Sequence, residues 1–215
     1  PDKYRNLIVR VAGYCAQFVS LMPEAQEAII AIPSHAAYLP GATIAGVILA
    51  WMVDEQGVTR PTWVIFNIGD ARVYLLRGDM LSQVTRDHSR VQILIETGEL
   101  TPEQARRDPR RNVVTRALGG GIADSAVPDL YSVPVAAGDR LLVCSDGLSD
   151  ELDDEAIATV LAAGYTAQRT AELLVAASLE GGGHDNTTAV VVDSAETPAL
   201  APAVVPGDAS TQEAL

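Results

Sequence analysis

Short apolar segments rich in β-branched residues dominate the middle of the chain, and glycine–aspartate pairs separate them. Gly69-Asp70 and Gly78-Asp79 are such pairs, and residues of this kind are typical of tight turns between strands. The pattern predicts an antiparallel meander of β-strands. The predicted strands cover residues 44–53, 62–68, 73–76 and 80–84.

Helical patterns stand on both sides of these strands. Apolar side chains recur about every 3.6 residues over positions 4–22, which predicts an amphipathic helix, with a second helix near 24–32. The polar stretch 88–108 also favours helix, with capping by Thr101 and Gln104. Strands are further predicted at 130–135, 140–144 and 187–192, and helices at 153–163 and 167–180. Strands grouped between helices indicate an α+β layered fold rather than an alternating βαβ fold.

Composition and charge argue against several classes of protein. The 215 residues, 48% of them hydrophobic, supply a core for one domain. Asp and Glu outnumber Lys and Arg by 28 to 15, so binding to nucleic acid or to an anionic membrane is not expected. No apolar run reaches the roughly 18 residues of a membrane-spanning helix. Cys15 and Cys144 lie far apart in apolar runs, which predicts buried, reduced thiols in a cytoplasmic protein.

Three aspartates share a sequence context that suits a divalent cation. Asp70 and Asp146 each follow a predicted strand, Asp185 precedes one, and each has a glycine nearby. Such placement lets backbones approach closely and directs carboxylates into one space at the edge of a sheet. Hard cations such as Mg²⁺ and Mn²⁺ prefer oxygen ligands of this kind. Asp-Gly and Asp-Asn are also ordinary turn residues, so spacing alone leaves both interpretations open.

Six pieces of sequence follow one another between Asn67 and Asp193. The first reads Asn-Ile-Gly-Asp-Ala-Arg, and the set covers 67–72, 85–89 with 91–92, 98–103, 112–119, 138–149 and 182–187. In this order they resemble the type 2C family of metal-dependent serine/threonine protein phosphatases, especially its bacterial members. One such piece is weakly specific, but six in order are highly specific.

The resemblance implies a four-layer α-β-β-α sandwich, incomplete here at the N-terminus, with residues 1–194 forming a partial domain. It implies that Asp146 and Asp185 bind two catalytic ions, Mn²⁺ or Mg²⁺, and that Asp70 and Asp146 help to hold a third. The ions would activate a water molecule that attacks the phosphorus of phosphoserine or phosphothreonine. Asn186 is expected to steady Asp185, and Cys144 to take no part.

A basic stretch at about 85–119 corresponds to the family's flap, which lies beside the active site. Its arginines could steer phosphorylated substrates or could form a solvated, salt-bridged helix pair, and the sequence leaves both open. Expected partners are phosphorylated proteins and a serine/threonine kinase with its substrates, and a monomer is expected. Residues 195–215 are predicted to be a disordered tail or linker. The flap arginines in question are Arg106, Arg107, Arg110 and Arg111.

The motifs of the family's first strands are not recognisable in this chain. An Asn-Glu-Asp motif and an Asp-Gly-Met-Gly-Gly-like motif are not found before residue 40. Residues 1–40 are therefore expected to correspond to the helices that follow those motifs, and the chain alone to be weakly active or inactive. His35, His88 and His184 are not expected to replace the missing acid, and His88 is expected to cap or pack within the flap.

Three interpretations of this departure stay open. The chain is part of an active phosphatase, or a degenerate, non-catalytic binding or regulatory module, or a stress-response regulator phosphatase. The three retained aspartates favour the first interpretation over the second, because a binding module has no need of all three carboxylates. The long flap argues against the third.

Overall fold

The computed structural model describes residues 8–11, 14–17, 41–53, 57–119 and 127–194. The strands are β1 (Ile8–Val11), β2 (Tyr14–Gln17), β3 (Ile44–Val53), β4 (Thr59–Ile68), β5 (Arg72–Arg77), β6 (Met80–Gln83), β7 (Asp129–Pro134), β8 (Arg140–Cys144) and β9 (Ala189–Asp193). The helices are α1 (Arg90–Glu96), α2 (Pro102–Ala105), α3 (Asp146–Ser149), α4 (Asp154–Ala162) and α5 (Ala167–Gly181).

Two antiparallel sheets form the centre of the fold. The first has the strand order β3-β4-β7 and the second β6-β5-β8-β9. The predicted meander is wrong at one junction, because β4 and β5 belong to different sheets. Gly69 makes this change of sheet possible: its φ is +103°, and a Cβ there would lie 2.2 Å from the Thr43 side chain. Only glycine fits such a turn.

The two sheets pack face to face across a buried core. Val47 of β3, together with Trp63 and Ile65 of β4, packs with Val73 of β5 and Leu141 of β8. Successive side chains of a strand point to opposite faces, so these residues alternate with others that face outward. The central sandwich therefore rests on apolar positions that the strand pattern of the sequence already marked.

Helices cover the outer face of the second sheet. Tyr74 and Leu142 of the sheet pack with Leu148, Ile157 and Leu174 of α3, α4 and α5, and all five are buried. Burial of a large apolar side chain stabilises a fold by about 1.5–3 kcal/mol. The helix–sheet–sheet layering confirms the predicted α+β sandwich. No helix in the described ranges is long and apolar enough to cross a membrane.

The N-terminal strands correct two sequence predictions. The helix predicted over 4–22, like the helices that the family resemblance placed in this region, is wrong where the structure describes it. Instead β1 and β2 pair antiparallel, with Val11 opposite Tyr14. Ile8, Val9 and Val11 have strong strand preferences, and these compete with the helical spacing of the apolar residues. The helix predicted at 24–32 and the tail at 195–215 lie outside the described residues.

Most other elements agree with prediction to within a few residues. The bounds of β3 and β8 match the predicted strands, and α4 and α5 match the predicted helices to within one residue. The predicted capping at α2 is confirmed: Gln104 N–H donates to the Thr101 hydroxyl, and Thr101 N–H donates to the Gln104 side chain. These agreements come from local signals, which strand and cap chemistry supply directly.

Candidate functional site

The register of β5 against β8 brings two predicted site residues to the same end of the second sheet. Arg72 lies opposite Cys144 in this antiparallel ladder. Asp70 stands two residues before Arg72, and Asp146 stands two residues after Cys144. Because antiparallel neighbours run in opposite directions, the start of one strand lies beside the end of the other. Asp70 and Asp146 therefore emerge side by side.

Asp185 reaches the same end of the sheet through its backbone. Gly147 packs so closely on this loop that a Cβ there would lie 2.5 Å from the Asn186 carbonyl oxygen. The side chain of Asp185 is exposed, and its Oδ1 accepts a hydrogen bond from the Asn186 backbone N–H at 2.6 Å. The loop of Asp185 thus lies against Asp146–Gly147. Its carboxylate does not line the cavity that Asp146 lines.

Asp70 and Asp146 line a cavity of about 280 Å³, together with Asp87 and Asp150. Burial, and then the nearby charge of Asp146, raises the pKa of Asp70 to about 7. The same two causes, in the same order, raise the pKa of Asp150. Crowded carboxylates disfavour one another's ionised form, and a bound cation would offset that cost. The donor set is all oxygen, so it fits a hard divalent ion.

The described residues offer only part of a coordination shell. Among them, no three His, Cys, Asp or Glu side chains stand close enough together to hold a metal ion as they are placed. Asp70 and Asp146 are thus a pair rather than a complete set. Hard cations such as Mg²⁺ retain several water molecules in protein sites, so a pair of carboxylates is a usable anchor.

A guanidinium group holds Asp87 at two points in the wall of the cavity. Arg72 donates to the Asp87 carboxylate from Nε at 3.0 Å and from Nη2 at 2.6 Å. Gln83 Nε2 donates to it at 2.9 Å. Two-point ion pairing of this kind fixes the orientation of both groups. Asp87 and Arg72 therefore form part of the wall of the cavity. Neither of these two residues, nor Asp150, is predicted from the sequence as a site residue.

The four predicted flap arginines divide into two pairs. Arg106 and Arg111 line the cavity, whereas Arg107 and Arg110 do not. Arg106 donates to the carbonyl oxygen of Leu152 at 3.4 Å, and Arg111 Nε lies 3.9 Å from Asp150. Arg110 instead pairs with its neighbour Asp108 on the surface. Besides its carboxylates, the cavity is therefore lined by three guanidinium groups: Arg72, which Asp87 holds, and the two flap arginines Arg106 and Arg111.

Cys144 is buried and free. Burial raises the pKa of its thiol to about 12, so the sulfur is protonated at neutral pH. The thiolate is the nucleophilic form of cysteine, and a buried thiol cannot supply it here. The predicted burial of Cys144 is confirmed, and its absence from the chemistry stays a prediction.

Known proteins with similar sequences and structures are bacterial phosphatases. The serine/threonine protein phosphatase PstP of Mycobacterium tuberculosis is 44% identical over 129 residues, which is 60% of this chain and 24% of PstP. A crystal structure of the M. tuberculosis phosphatase PstP/Ppp superposes with a TM-score of 0.66 at 35% identity, covering 84% of this chain and 74% of that one. The catalytic domain of PstP in complex with two manganese ions matches at 30% identity, with a TM-score of 0.62, over 80% of this chain and 81% of that chain.

The matches cover different shares of the related proteins. The chain spans about a quarter of the length of PstP, although it covers most of the solved catalytic domain. A separate family model, described as glycine radical, matches residues 1–19. That match ends before β3, where the two central sheets begin, and it covers too little of the chain to show a family. The six motifs, the two-sheet fold and the identity over most of a solved catalytic domain place the chain in the PPM (type 2C) family of bacterial serine/threonine protein phosphatases.

Proposed function

We propose that the protein containing this chain hydrolyses phosphoserine and phosphothreonine in other proteins and that it needs Mn²⁺ or Mg²⁺ to do so. The observation that carries the proposal is the meeting of Asp70 and Asp146 at one cavity, beside Arg106 and Arg111 of the flap. Acidic oxygens suit the cations, and guanidinium groups suit the phosphoryl group of a substrate. Family membership supports the same reaction.

The three predicted aspartates would bind the metal ions in two groups. Asp70 and Asp146 would hold a cation from the cavity wall, and Asp146 with Asp185 would hold the catalytic ions. The backbone N–H of Asn186, which donates to Asp185 Oδ1, would orient that carboxylate. When bound, divalent cations lower the pKa of a water molecule and neutralise charge on phosphoryl oxygens.

The two flap arginines at the cavity would bind and orient the substrate. Arg106 and Arg111 each have a side chain about 40% exposed, so their guanidinium groups can reach a ligand in the cavity. Their present acidic neighbours, Asp154 and Asp150, stand 3.9 Å away. Exposed pairs at such distances are weak, so a phosphate could replace them.

The activity is tested with the full-length protein and a phosphothreonine peptide. We expect phosphate release with Mn²⁺ and none with EDTA. Replacement Asp146→Asn should lower the rate by about 100-fold or more, because a metal ligand in the reaction is lost. Asp153→Asn is the matched control: Asp153 caps α4 by accepting the Ala156 N–H, and asparagine caps equally well. An unchanged rate in Asp146→Asn, or full activity in EDTA, would contradict the proposal.

The proposal extends to partners and state of association. Phosphoprotein substrates imply a serine/threonine kinase that acts on the same proteins, and the partial domain would extend through residue 194. We expect a monomer and, for the 215-residue chain by itself, weak or absent turnover. Light scattering and the peptide assay test the last two expectations. A stable dimer, or turnover by the chain equal to that of the full-length protein, would refute them.

A further inference from the structure

His88 lies where the base of the flap meets the turn that carries Asp70. Its side chain is 1% exposed, and it does not line the cavity. The sequence suggested that it caps or packs within the flap. It is not the cap of α1, because Ser89 fills that role: the Gln92 N–H donates to Ser89 Oγ at 3.2 Å.

Two hydrogen bonds join His88 to Gly69, the residue that precedes Asp70. The Gly69 N–H donates to His88 Nδ1 at 3.0 Å, and the His88 N–H donates to the Gly69 carbonyl oxygen at 2.8 Å. Gly69 has a φ of +103°, a conformation that glycine also leaves easily. His88 therefore holds both the backbone N–H and the carbonyl oxygen of Gly69, the residue whose conformation sets the direction of the Asp70 side chain.

The hydrogen bond to Gly69 fixes the tautomer of the His88 ring. A backbone N–H can only donate, so Nδ1 must accept, and the ring proton must lie on Nε2. Nε2 stands 3.0 Å from Asp129 Oδ2, which accepts its hydrogen bond. Arg116 Nη1 also stands 3.1 Å from Nε2, but a protonated Nε2 cannot accept a hydrogen bond. Arg116 Nη1 therefore donates to the other oxygen of Asp129, at 2.5 Å. Asp129 thus favours the tautomer that can hold Gly69, in the way that carboxylates orient histidines near metal sites.

The two ends of the flap also meet at this histidine. The Thr115 N–H donates to the His88 carbonyl oxygen at 2.7 Å, and the Arg90 N–H donates to the Val113 carbonyl oxygen at 2.8 Å. Ser89 and Val114 form the bridge between these two bonds. The chain segments that enter and leave the flap are therefore hydrogen-bonded to each other beside His88, the residue that holds Gly69.

We propose that His88 is a positioning residue for Asp70. Its Nδ1 holds Gly69 so that the Asp70 carboxylate faces the cavity, and Asp129 maintains the ring tautomer that this contact requires. The inference rests on the proposed function, in which Asp70 helps to hold a cation. His88 acts only through Gly69, since it does not itself line the cavity.

Two substitutions of His88 test the contacts of the two ring nitrogens separately. The side-chain oxygen of asparagine can occupy the place of Nδ1, so His88→Asn keeps an acceptor for Gly69. The longer His88→Gln places its amide near Nε2, which keeps the contact with Asp129 but leaves the Gly69 N–H without that acceptor. We expect His88→Gln to weaken Mn²⁺ binding by about 10-fold or more, and His88→Asn by less than about 3-fold.

The readout is the Mn²⁺ affinity of the 215-residue chain, measured from the electron paramagnetic resonance signal of free Mn²⁺. Thermal midpoints of both variants are measured alongside. Mn²⁺ affinities that are equal in the two variants, or that follow their thermal midpoints, would show a merely structural role and would overturn the inference. If the wild-type chain bound no Mn²⁺, the proposed cation site would fail first, and the inference with it.

A second measurement needs no variant. Long-range ¹H–¹⁵N correlation spectra of the wild-type chain report which nitrogen of the His88 ring carries the proton. We expect the proton on Nε2. A proton on Nδ1 would exclude the hydrogen bond from Gly69 and would overturn the inference even if Mn²⁺ binds, which distinguishes its failure from that of the proposed function.

Discussion

Arg72 and Cys144 lie opposite each other in the β5–β8 ladder, and the candidate site depends on this pairing. Asp70 and Asp146 stand two residues beyond them at the same end of the sheet. A slip of one residue would turn every side chain of one strand to the other face. The packed core between the sheets therefore also fixes which acids can meet.

The close packing of Gly147 on the Asp185 loop predicts that a methyl group at position 147 lowers the stability of the fold. In Gly147→Ala the new Cβ would lie 2.5 Å from the Asn186 carbonyl oxygen, so the loop must shift. We expect the free energy of unfolding to fall by about 1–3 kcal/mol, measured by urea denaturation. Gly181→Ala is the control, because its Cβ would meet Glu151 at an ordinary 3.4 Å. Equal losses in the two variants would contradict the packing described.

The lowered pKa of Asp139 predicts that the protein becomes less stable at acid pH. Burial alone would raise its pKa, but hydrogen bonds from Arg77, the Ala136 backbone and Trp63 outweigh burial and lower the pKa. A carboxyl whose pKa is lower in the folded state stabilises the fold above its unfolded pKa, and this stability is lost as the pH falls through the folded value. We therefore expect the free energy of unfolding to decline below about pH 4.

The variant Asp139→Asn tests this assignment. Asparagine cannot satisfy the Arg77 guanidinium, so we expect a loss of about 2–3 kcal/mol at pH 7 and a shallower decline in acid. Urea denaturation between pH 7 and pH 3 measures both. Asp79→Asn, on the exposed turn after β5, is the surface control. If Asp139→Asn kept the wild-type acid dependence, another carboxyl would be responsible.

The unequal placement of the flap arginines predicts unequal effects on substrate binding. Arg111 lines the cavity and Arg110 does not. We expect Arg111→Ala in the full-length protein to raise the KM for a phosphothreonine peptide by about 10-fold with a smaller change in kcat, because a charge-assisted contact to phosphate is lost. Arg110→Ala removes the same charge from the surface and should leave KM near its wild-type value. Equal shifts would indicate general charge steering instead.

Residue types in the sequence are enough to predict most of the helices and strands and to indicate Asp70, Asp146 and Asp185 as candidate metal ligands. The strands β3 and β8 and the capping of α2 follow from residue types within a few positions. The hairpin β1–β2 is not predicted because the helical spacing of the apolar residues over 4–22 conceals the strand preferences of Ile8, Val9 and Val11. The change of sheet at Gly69 depends on packing between distant strands, and no local pattern reports it.

The candidate site shows the same division between local and distant signals. Asp70 and Asp146 were predicted to meet, and they do so at one cavity. Asp150 and Arg72 line that cavity too, but their side chains arrive through the register of β5 and through the first turns after β8. The contact of His88 with Gly69 joins residues 19 positions apart. Its only local sign was a histidine beside an aspartate in the motif at 85–89.

Mn²⁺ binding by the 215-residue chain tests the central claim most directly. The affinity is measured by electron paramagnetic resonance for the wild type and for Asp70→Asn, Asp146→Asn and the surface control Asp79→Asn. We predict that the wild type and the control bind alike and that each of the first two variants binds about 10-fold or more weakly. Affinities that are the same in all four proteins would contradict a cation site formed by Asp70 and Asp146.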